Sequence, residues 1–209
     1  MNKTRIEFLS DAVFSIVMTL LVLEIKVPEI HTEHGLTDAE LWPQISHLTP
    51  LFLSYLISFT VLTMYWVSNH ALFHFFIKKT DRAIAFINML FLMFVSIIPF
   101  SAHFLGVYPD REPAVIVYGV NLILIGMIGL WMLYHVLNHS DLVHKDLTQK
   151  TIKQAKIRLF LTPTFSLLGV VFSVVSIPFS LFLFAFPIIF NIIPGTLNTL
   201  EKVFKFELR

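Results

Sequence analysis

The 209-residue sequence contains no cysteine, only seven glycines and few charged residues. Without cysteine, the chain has no disulfide bond, no thiolate metal site and no cysteine nucleophile. So few glycines leave no glycine-rich loop of the kind that cradles a phosphate. Charged residues make up 14% of the chain, whereas a soluble domain carries about 25%. Such a chain cannot cover a water-facing surface, which excludes a soluble enzyme, a disordered scaffold and a nucleic-acid-binding protein.

Hydrophobic residues supply 56% of the chain and gather in six segments long enough to cross a bilayer. A membrane helix needs about 20 mostly apolar residues. Pro178 lies between the last two segments and disfavours helix at the residue before it, so we expect a tight turn there, with one long bent helix as the alternative. The predicted spans are residues 6–27, 50–77, 83–105, 114–137, 157–176 and 179–197. We expect an all-α integral membrane protein with six transmembrane helices in a single domain, 1–209.

The basic residues predict the orientation of the chain. All of the 15 lysines and arginines except Lys26 and Arg111 fall on one side of the predicted spans. Because basic residues favour the cytoplasmic side, we expect both termini in the cytoplasm and the protein in the inner (plasma) membrane of the cell. The lysine-rich segment 139–156 lies on that side, and we expect it to be amphipathic and to touch anionic headgroups. No small-residue cleavage site follows the first span, so we expect it not to be a cleaved signal peptide.

The first span carries polar residues in two places. Asp11 lies in its cytoplasmic half, where a charge is costly: about 2.5–3.5 kcal/mol at the centre of a membrane helix. Ile16, Thr19 and Leu23 recur at helical spacing on another face, which we place roughly opposite Asp11. Spacing alone favours ordinary helix–helix packing for this stripe. A structural pairing with arginine or histidine is the corresponding expectation for Asp11.

Further polar residues of the second and third spans fall at a depth similar to that of Asp11. If the spans alternate in direction, a carboxylate, an imidazole and an amide meet at one level and satisfy one another. His70 and His74 are also one helical turn apart, the spacing of a metal-binding pair, but a third ligand and the His-Glu-x-x-His pattern are absent from the sequence. We therefore expect no metal, and predict a structural polar network of Arg5, Ser10, Asp11, His70 and Asn88.

The residues Arg5, Ser10 and Asp11 resemble the first-helix motif Arg-x-x-x-Phe-Ser-Asp of the transmembrane protein 175 family of potassium channels. The chain resembles the prokaryotic members of that family. Leu9 stands where that motif has phenylalanine. The second and third spans resemble the same family in Tyr55-x-x-Ser58-Phe59, Trp66-x-x-x-His70, and Asn88 followed by Pro99-Phe100. The resemblance covers the first half of the chain well, whereas the second half agrees mainly in hydropathy.

The resemblance implies a homotetramer of six-helix subunits whose first helices line a central pore, with no re-entrant loop and no carbonyl filter. The stripe then becomes the pore constriction. Thr19 would offer hydroxyls that partly replace the hydration shell of potassium, while Ile16 and Leu23 would narrow the pore as a hydrophobic gate. The implied function is a potassium-selective leak channel. Its implied partners are potassium ions, the lipid bilayer and other copies of the chain, with neither a cofactor nor a nucleic acid.

Two other functions are open alternatives. A proton- or cation-coupled secondary transporter would use Asp11 and His70, but transporters usually show internal repeats and helices broken near the membrane midplane. The first span has neither glycine nor proline before Pro28. An intramembrane enzyme would need a nucleophile and a base, and the sequence offers no plausible pair. We therefore expect that the protein is not an enzyme.

Overall fold

The structure is a computed structural model that describes residues 2–27, 38–144 and 147–192. In these residues the chain is almost entirely helical, and its single β-bridge joins Ile77 to Val143. The helices are α1 (Lys3–Leu23), α2 (Asp38–His47), α3 (Thr49–Ala71), α4 (Arg82–Val95), α5 (Ile98–Val107), α6 (Glu112–Leu137), α7 (Gln149–Phe172) and α8 (Ile177–Ile192). A π-helical turn, Leu72–Phe76, follows α3.

Within the residues that the structure describes, five helical stretches are long and apolar enough to cross a membrane. They are Lys3–Leu23, Leu41–Phe76, Arg82–Val107, Glu112–Leu137 and Gln149–Phe172, and Ile177–Ile188 is a shorter apolar helix. The predicted all-α membrane fold is thus confirmed. The expected end of the sixth span at residue 197 lies outside the described residues.

The last two predicted spans are separate helices. α7 ends at Phe172 and α8 begins at Ile177, next to Pro178, so the alternative of one long bent helix is wrong. Aromatic pairs between the two helices run in opposite order along the chain: Phe172 contacts Phe179, and Phe165 stacks on Phe186 with ring centroids 4.5 Å apart. The pair is therefore an antiparallel hairpin.

The helix that contains the fifth predicted span, α7, begins at Gln149, before the predicted start of that span at residue 157. Hydropathy marks only the apolar part of this helix. Its first turns are polar, and they are stabilised instead by an N-cap, in which the Thr148 hydroxyl accepts a hydrogen bond from the Thr151 N–H at 3.2 Å. The part of the lysine-rich segment from Gln149 to Lys156 therefore belongs to the same helix as the apolar residues that follow it.

Hydrogen bonds join the loop that follows the π-helical turn to the loop that follows α6. Both loops lie at the end of the bundle that carries the basic residues, called the basic side below. The Lys78 N–H donates to the Leu142 carbonyl at 2.7 Å. Asp81 caps α4 by accepting from the Ile84 N–H at 2.7 Å, and its second oxygen lies 3.0 Å from His135 Nε2. Partial burial by itself raises the pKa of Asp81, but the hydrogen bonds from Ile84 and His135 outweigh it and hold that pKa below its usual value.

α6 lies at the centre of the bundle and packs against α4, α5, α7 and α8. Two hydrogen bonds fix its position against α3. The Tyr65 hydroxyl donates to the Leu122 carbonyl at 2.8 Å, and the Ser58 hydroxyl donates to the Tyr118 hydroxyl at 3.0 Å. Buried tyrosines need such partners, because an unpaired hydroxyl in an apolar interior is costly. α3 and α6 thus form a fixed support for the helices around them.

Gly126 of α6 makes a close approach to α7 possible. A Cβ atom at this position would lie 2.7 Å from Cδ of Pro163, whose ring cannot rotate away. We expect Gly126→Ala to destabilise the protein by about 1–3 kcal/mol through overpacking. Gly129→Ala is the matched control, because a Cβ there would meet Leu159 at an ordinary 3.7 Å. Thermal unfolding in detergent should separate the two variants, and equal melting temperatures would contradict this packing.

Candidate functional site

The helix α1 has a buried face and an uncovered face. The buried face consists of Ile6, Ser10, Phe14, Val17 and Leu21. On the other side, the side chain of Ile16 is 58% exposed and that of Leu23 is 68% exposed, and Thr19 is exposed between them. The described part of the chain therefore leaves the whole predicted stripe without a covering helix.

The Thr19 hydroxyl is oriented by its own helix. Its Oγ1 lies 3.0 Å from the Ser15 carbonyl and 2.8 Å from the Ile16 carbonyl, so its hydrogen is donated to the backbone. A hydroxyl that donates its hydrogen keeps oxygen lone pairs free to accept. In this arrangement the oxygen is a suitable ligand for a cation and a poor one for an anion.

Behind the uncovered face, amide and hydroxyl groups form a buried chain between three helices. Asn69 Nδ2 of α3 donates to Asn88 Oδ1 of α4 at 3.1 Å, and Asn88 Nδ2 donates to the Ser10 hydroxyl at 3.0 Å. Ser10 in turn donates to the Ile6 carbonyl at 3.0 Å. Asn88 is completely buried. The chain of hydrogen bonds therefore fixes α1 to α3 and α4 on the side away from the stripe.

Asn69 is a member of this chain that the predicted network lacks. It lies on the buried face of α3 with Leu62 and Tyr65, at helical spacing, whereas the neighbouring His70 is exposed. Depth in the membrane does not distinguish Asn69 from His70. The rotation of the helix does, and the apolar periodicity of α3 carries that signal.

Asp11 has a different partner from those expected. Trp66 Nε1 donates to Asp11 Oδ1 at 2.8 Å. Asp11 is half-buried on a flank of α1 between the buried and the uncovered faces, so it is not opposite the stripe as the sequence suggested.

His70 and Arg5 are not part of the buried chain of hydrogen bonds. His70 packs against Trp66 and stacks on His74, with ring centroids 6.2 and 5.9 Å away. Within the described residues, the side chain of Arg5 takes part in neither an ion pair nor a hydrogen bond, and it is exposed at the basic-side end of the stripe. Of the five residues of the predicted network, Ser10 and Asn88 are thus bonded to each other, and Asp11 is bonded to Trp66 instead. His70 and Arg5 are bonded to none of them.

Glu24 supplies negative charge at the other end of the stripe. It follows Leu23 directly at the end of α1, and its Oε2 lies 3.3 Å from His103 Nδ1 of α5. In the described part of the chain, His, Cys, Asp and Glu residues form no group of three that could hold a metal ion. The charge of Glu24 can therefore attract cations near the stripe without a fixed metal site.

We expect Asn88→Ala to lower stability by about 2–3 kcal/mol, because the buried amide of Asn69 then loses its acceptor. The measurement is the melting temperature of the purified protein in detergent. Asn138→Ala is the control, since Asn138 is exposed at the end of α6. If both variants melt at the same temperature, the buried hydrogen-bond chain does not hold α1 in place.

Comparison with known proteins gives consistent matches. The family model described as "Endosomal/lysosomal potassium channel TMEM175" matches residues 5–99. "Potassium channel B446_29190" of Streptomyces collinus is 32% identical over 168 residues, which are 77% of this chain and 78% of that protein. "Potassium channel Cha6605_3372" of Chamaesiphon minutus is 35% identical over 152 residues, 70% of either chain.

A solved structure is similar over nearly the whole length. It is the crystal structure of a lysosomal potassium-selective channel TMEM175 homolog from Chamaesiphon minutus, with a TM-score of 0.76 and 28% sequence identity. The match covers 90% of this chain and 94% of that one. Similarity of fold thus extends well beyond residue 99, where the family model ends.

Proposed function

The chain belongs to the TMEM175 family of potassium channels, and from this premise we propose that it is a potassium-selective leak channel assembled from four copies. Membership in this family makes the protein a multi-pass membrane channel and confirms the expectation that it is not an enzyme. The tetramer, the pore-lining residues and the selectivity are the parts that the proposal adds.

The observation that carries the proposal is the uncovered stripe of α1. Its apolar residues alone would suit contact with lipid or with another helix. The stripe also contains Thr19, whose hydroxyl oxygen is left free to accept, and it leads to the carboxylate of Glu24. Four copies of α1 around one axis would bring four of these oxygens together on the path of an ion.

The proposed constriction works through two kinds of ring. Four Thr19 oxygens replace part of the hydration shell of potassium, at lower cost than for sodium, which holds its water more tightly. Ile16 and Leu23 form apolar rings on either side of Thr19, where a narrow pore loses its water and blocks a hydrated cation. Hydroxyls are weaker and fewer ligands than stacked carbonyls, so the selectivity is moderate.

The proposed orientation places the basic side in the cytoplasm of the cell and Glu24 at the outer mouth of the pore. The protein then lies in the inner (plasma) membrane with both termini inside. Four Glu24 carboxylates, each with His103 beside it, would raise the local concentration of cations outside the constriction.

The transporter alternative lacks support from the geometry. Asp11 bonds to Trp66, and within the described residues no hydrogen bond links Asp11 to His70. α1 is also continuous from Lys3 to Leu23, without the unwound segment that a binding site at the membrane midplane requires. A proton-coupled exchange through these two residues therefore has no continuous path in the described chain.

The test is a recording from the purified protein in a planar bilayer with potassium on one side and sodium on the other. We expect unitary current steps that reverse toward the potassium equilibrium potential. Light scattering of the same sample in detergent should give the mass of four chains. Flux at transporter turnover without unitary steps, or a monomer that conducts, would contradict the proposal.

A further inference from the structure

A groove between α3 and α7 opens on the outside of the bundle near its basic side. Its volume is about 210 Å³, and its walls include Val67 and Ala71 of α3 and Leu159 of α7. Arg158 is the one charged residue among those that line it. The groove lies away from the uncovered stripe of α1, and neither the hydrogen-bonded core nor the proposed pore uses it.

Of the three hydroxyls that line the groove, those of Thr60 and Thr63 require nothing from a ligand. Thr60 donates to the Leu56 carbonyl at 2.7 Å, and Thr63 donates to the Phe59 carbonyl at 2.9 Å. Their hydrogens are thus directed into their own helix. Apart from the Ser68 hydroxyl, what remains for an occupant is an apolar trough, which suits a hydrocarbon chain better than a peptide with backbone groups to satisfy.

Arg158 gives the groove a charged end. Within the described chain, its guanidinium takes part in neither an ion pair nor a hydrogen bond. A charge beside the apolar part of a membrane helix needs water or an anion, and a long arginine side chain reaches toward the interface to find one. A phosphate oxygen matches the planar donors of a guanidinium in a two-point hydrogen bond.

We propose that this groove is a binding site for an anionic phospholipid, with an acyl chain along Val67, Ala71 and Leu159 and the headgroup phosphate on Arg158. The charge around the site is complementary to such a lipid, since Lys78, Lys79 and Arg82 lie on the same side of the bundle. A second copy of the chain is the less suitable occupant, because its apolar helix would bury Arg158 without a counter-charge.

Native mass spectrometry of the full-length protein in detergent tests the site. The probes are phosphatidylglycerol and phosphatidylcholine added at equal concentrations. We expect Arg158→Gln to weaken retention of phosphatidylglycerol about fivefold, because one basic residue near an anionic surface contributes roughly that factor. Retention of phosphatidylcholine should weaken less, since its choline cation offsets the charge of its phosphate. Arg111→Gln is the matched control, with the same loss of charge at an exposed position on the opposite side of the bundle.

A second variant tests the contribution of the apolar groove separately from that of the Arg158 charge. Ala71→Phe fills the trough and keeps Arg158, and we expect it also to reduce retention of phosphatidylglycerol, whereas free glycerol phosphate should not compete. Equal retention by Arg158→Gln and Arg111→Gln, or full retention by Ala71→Phe, would overturn the proposal. So would a disulfide between copies carrying Val67→Cys, which is readable because the chain has no other cysteine. Lipid retention does not depend on conduction, so this test stands apart from that of the channel.

Discussion

Thr19→Val should reduce the potassium-to-sodium permeability ratio to near unity while current persists. Valine has nearly the shape of threonine but lacks the hydroxyl, so the ring keeps its width and loses its oxygen ligands. A difference of only about 1.4 kcal/mol between the two ions changes their ratio tenfold, and four ligands removed together exceed that readily. The measurement is the shift of the reversal potential under a potassium–sodium gradient in liposomes or planar bilayers.

Two further variants make this result specific. Thr19→Ser keeps the hydroxyl on α1 and should keep most of the selectivity. Thr60→Val makes the same chemical change on α3, where the threonine also donates to its own backbone at 2.7 Å, and it should change nothing. An unchanged reversal potential in an assembled Thr19→Val channel would remove Thr19 from the selectivity assignment.

Much of the fold could be predicted from hydropathy, because a helix in lipid satisfies its own backbone hydrogen bonds and needs a long run of apolar side chains. The turn before α8 was also predictable, since Pro178 favours a break. The start of α7 was not, because its first turns are polar and depend on the Thr148 cap. Hydropathy detects the part of a helix that meets lipid and misses the part that extends beyond it.

In the candidate site, too, some contacts could be predicted from the sequence and others could not. The meeting of Ser10 and Asn88 was predictable from depth, since both lie in the basic-side half of their spans. The choice between Asn69 and His70 required the rotation of α3, which depth does not give. Trp66 as the partner of Asp11 was not predicted, because the sequence does not show toward which neighbouring helix an indole N–H points. Side chains at one depth become neighbours only when each helix is rotated about its axis so that they face each other.

Ile16→Asn should raise the basal potassium flux, and it should do so more than Leu23→Asn. Asparagine is similar in volume to these residues, but its amide binds water, so it lowers the free energy of wetting an apolar ring. Leu23 adjoins Glu24 at the end of α1, where water is already close, whereas Ile16 lies about two helical turns deeper. The ring of Ile16 should therefore contribute the larger barrier, and each 1.4 kcal/mol removed raises the flux about tenfold.

The flux is measured per tetramer in liposomes loaded with potassium, with assembly checked for each variant by light scattering. Ile16→Leu is the control, because it keeps the ring apolar and should keep the basal flux low. Leu53→Asn adds the same amide to an exposed position of α3, outside the proposed pore, and should leave the flux unchanged. If both stripe variants assemble and neither raises the flux, the uncovered face of α1 contacts lipid or protein, and the pore is lined by another helix.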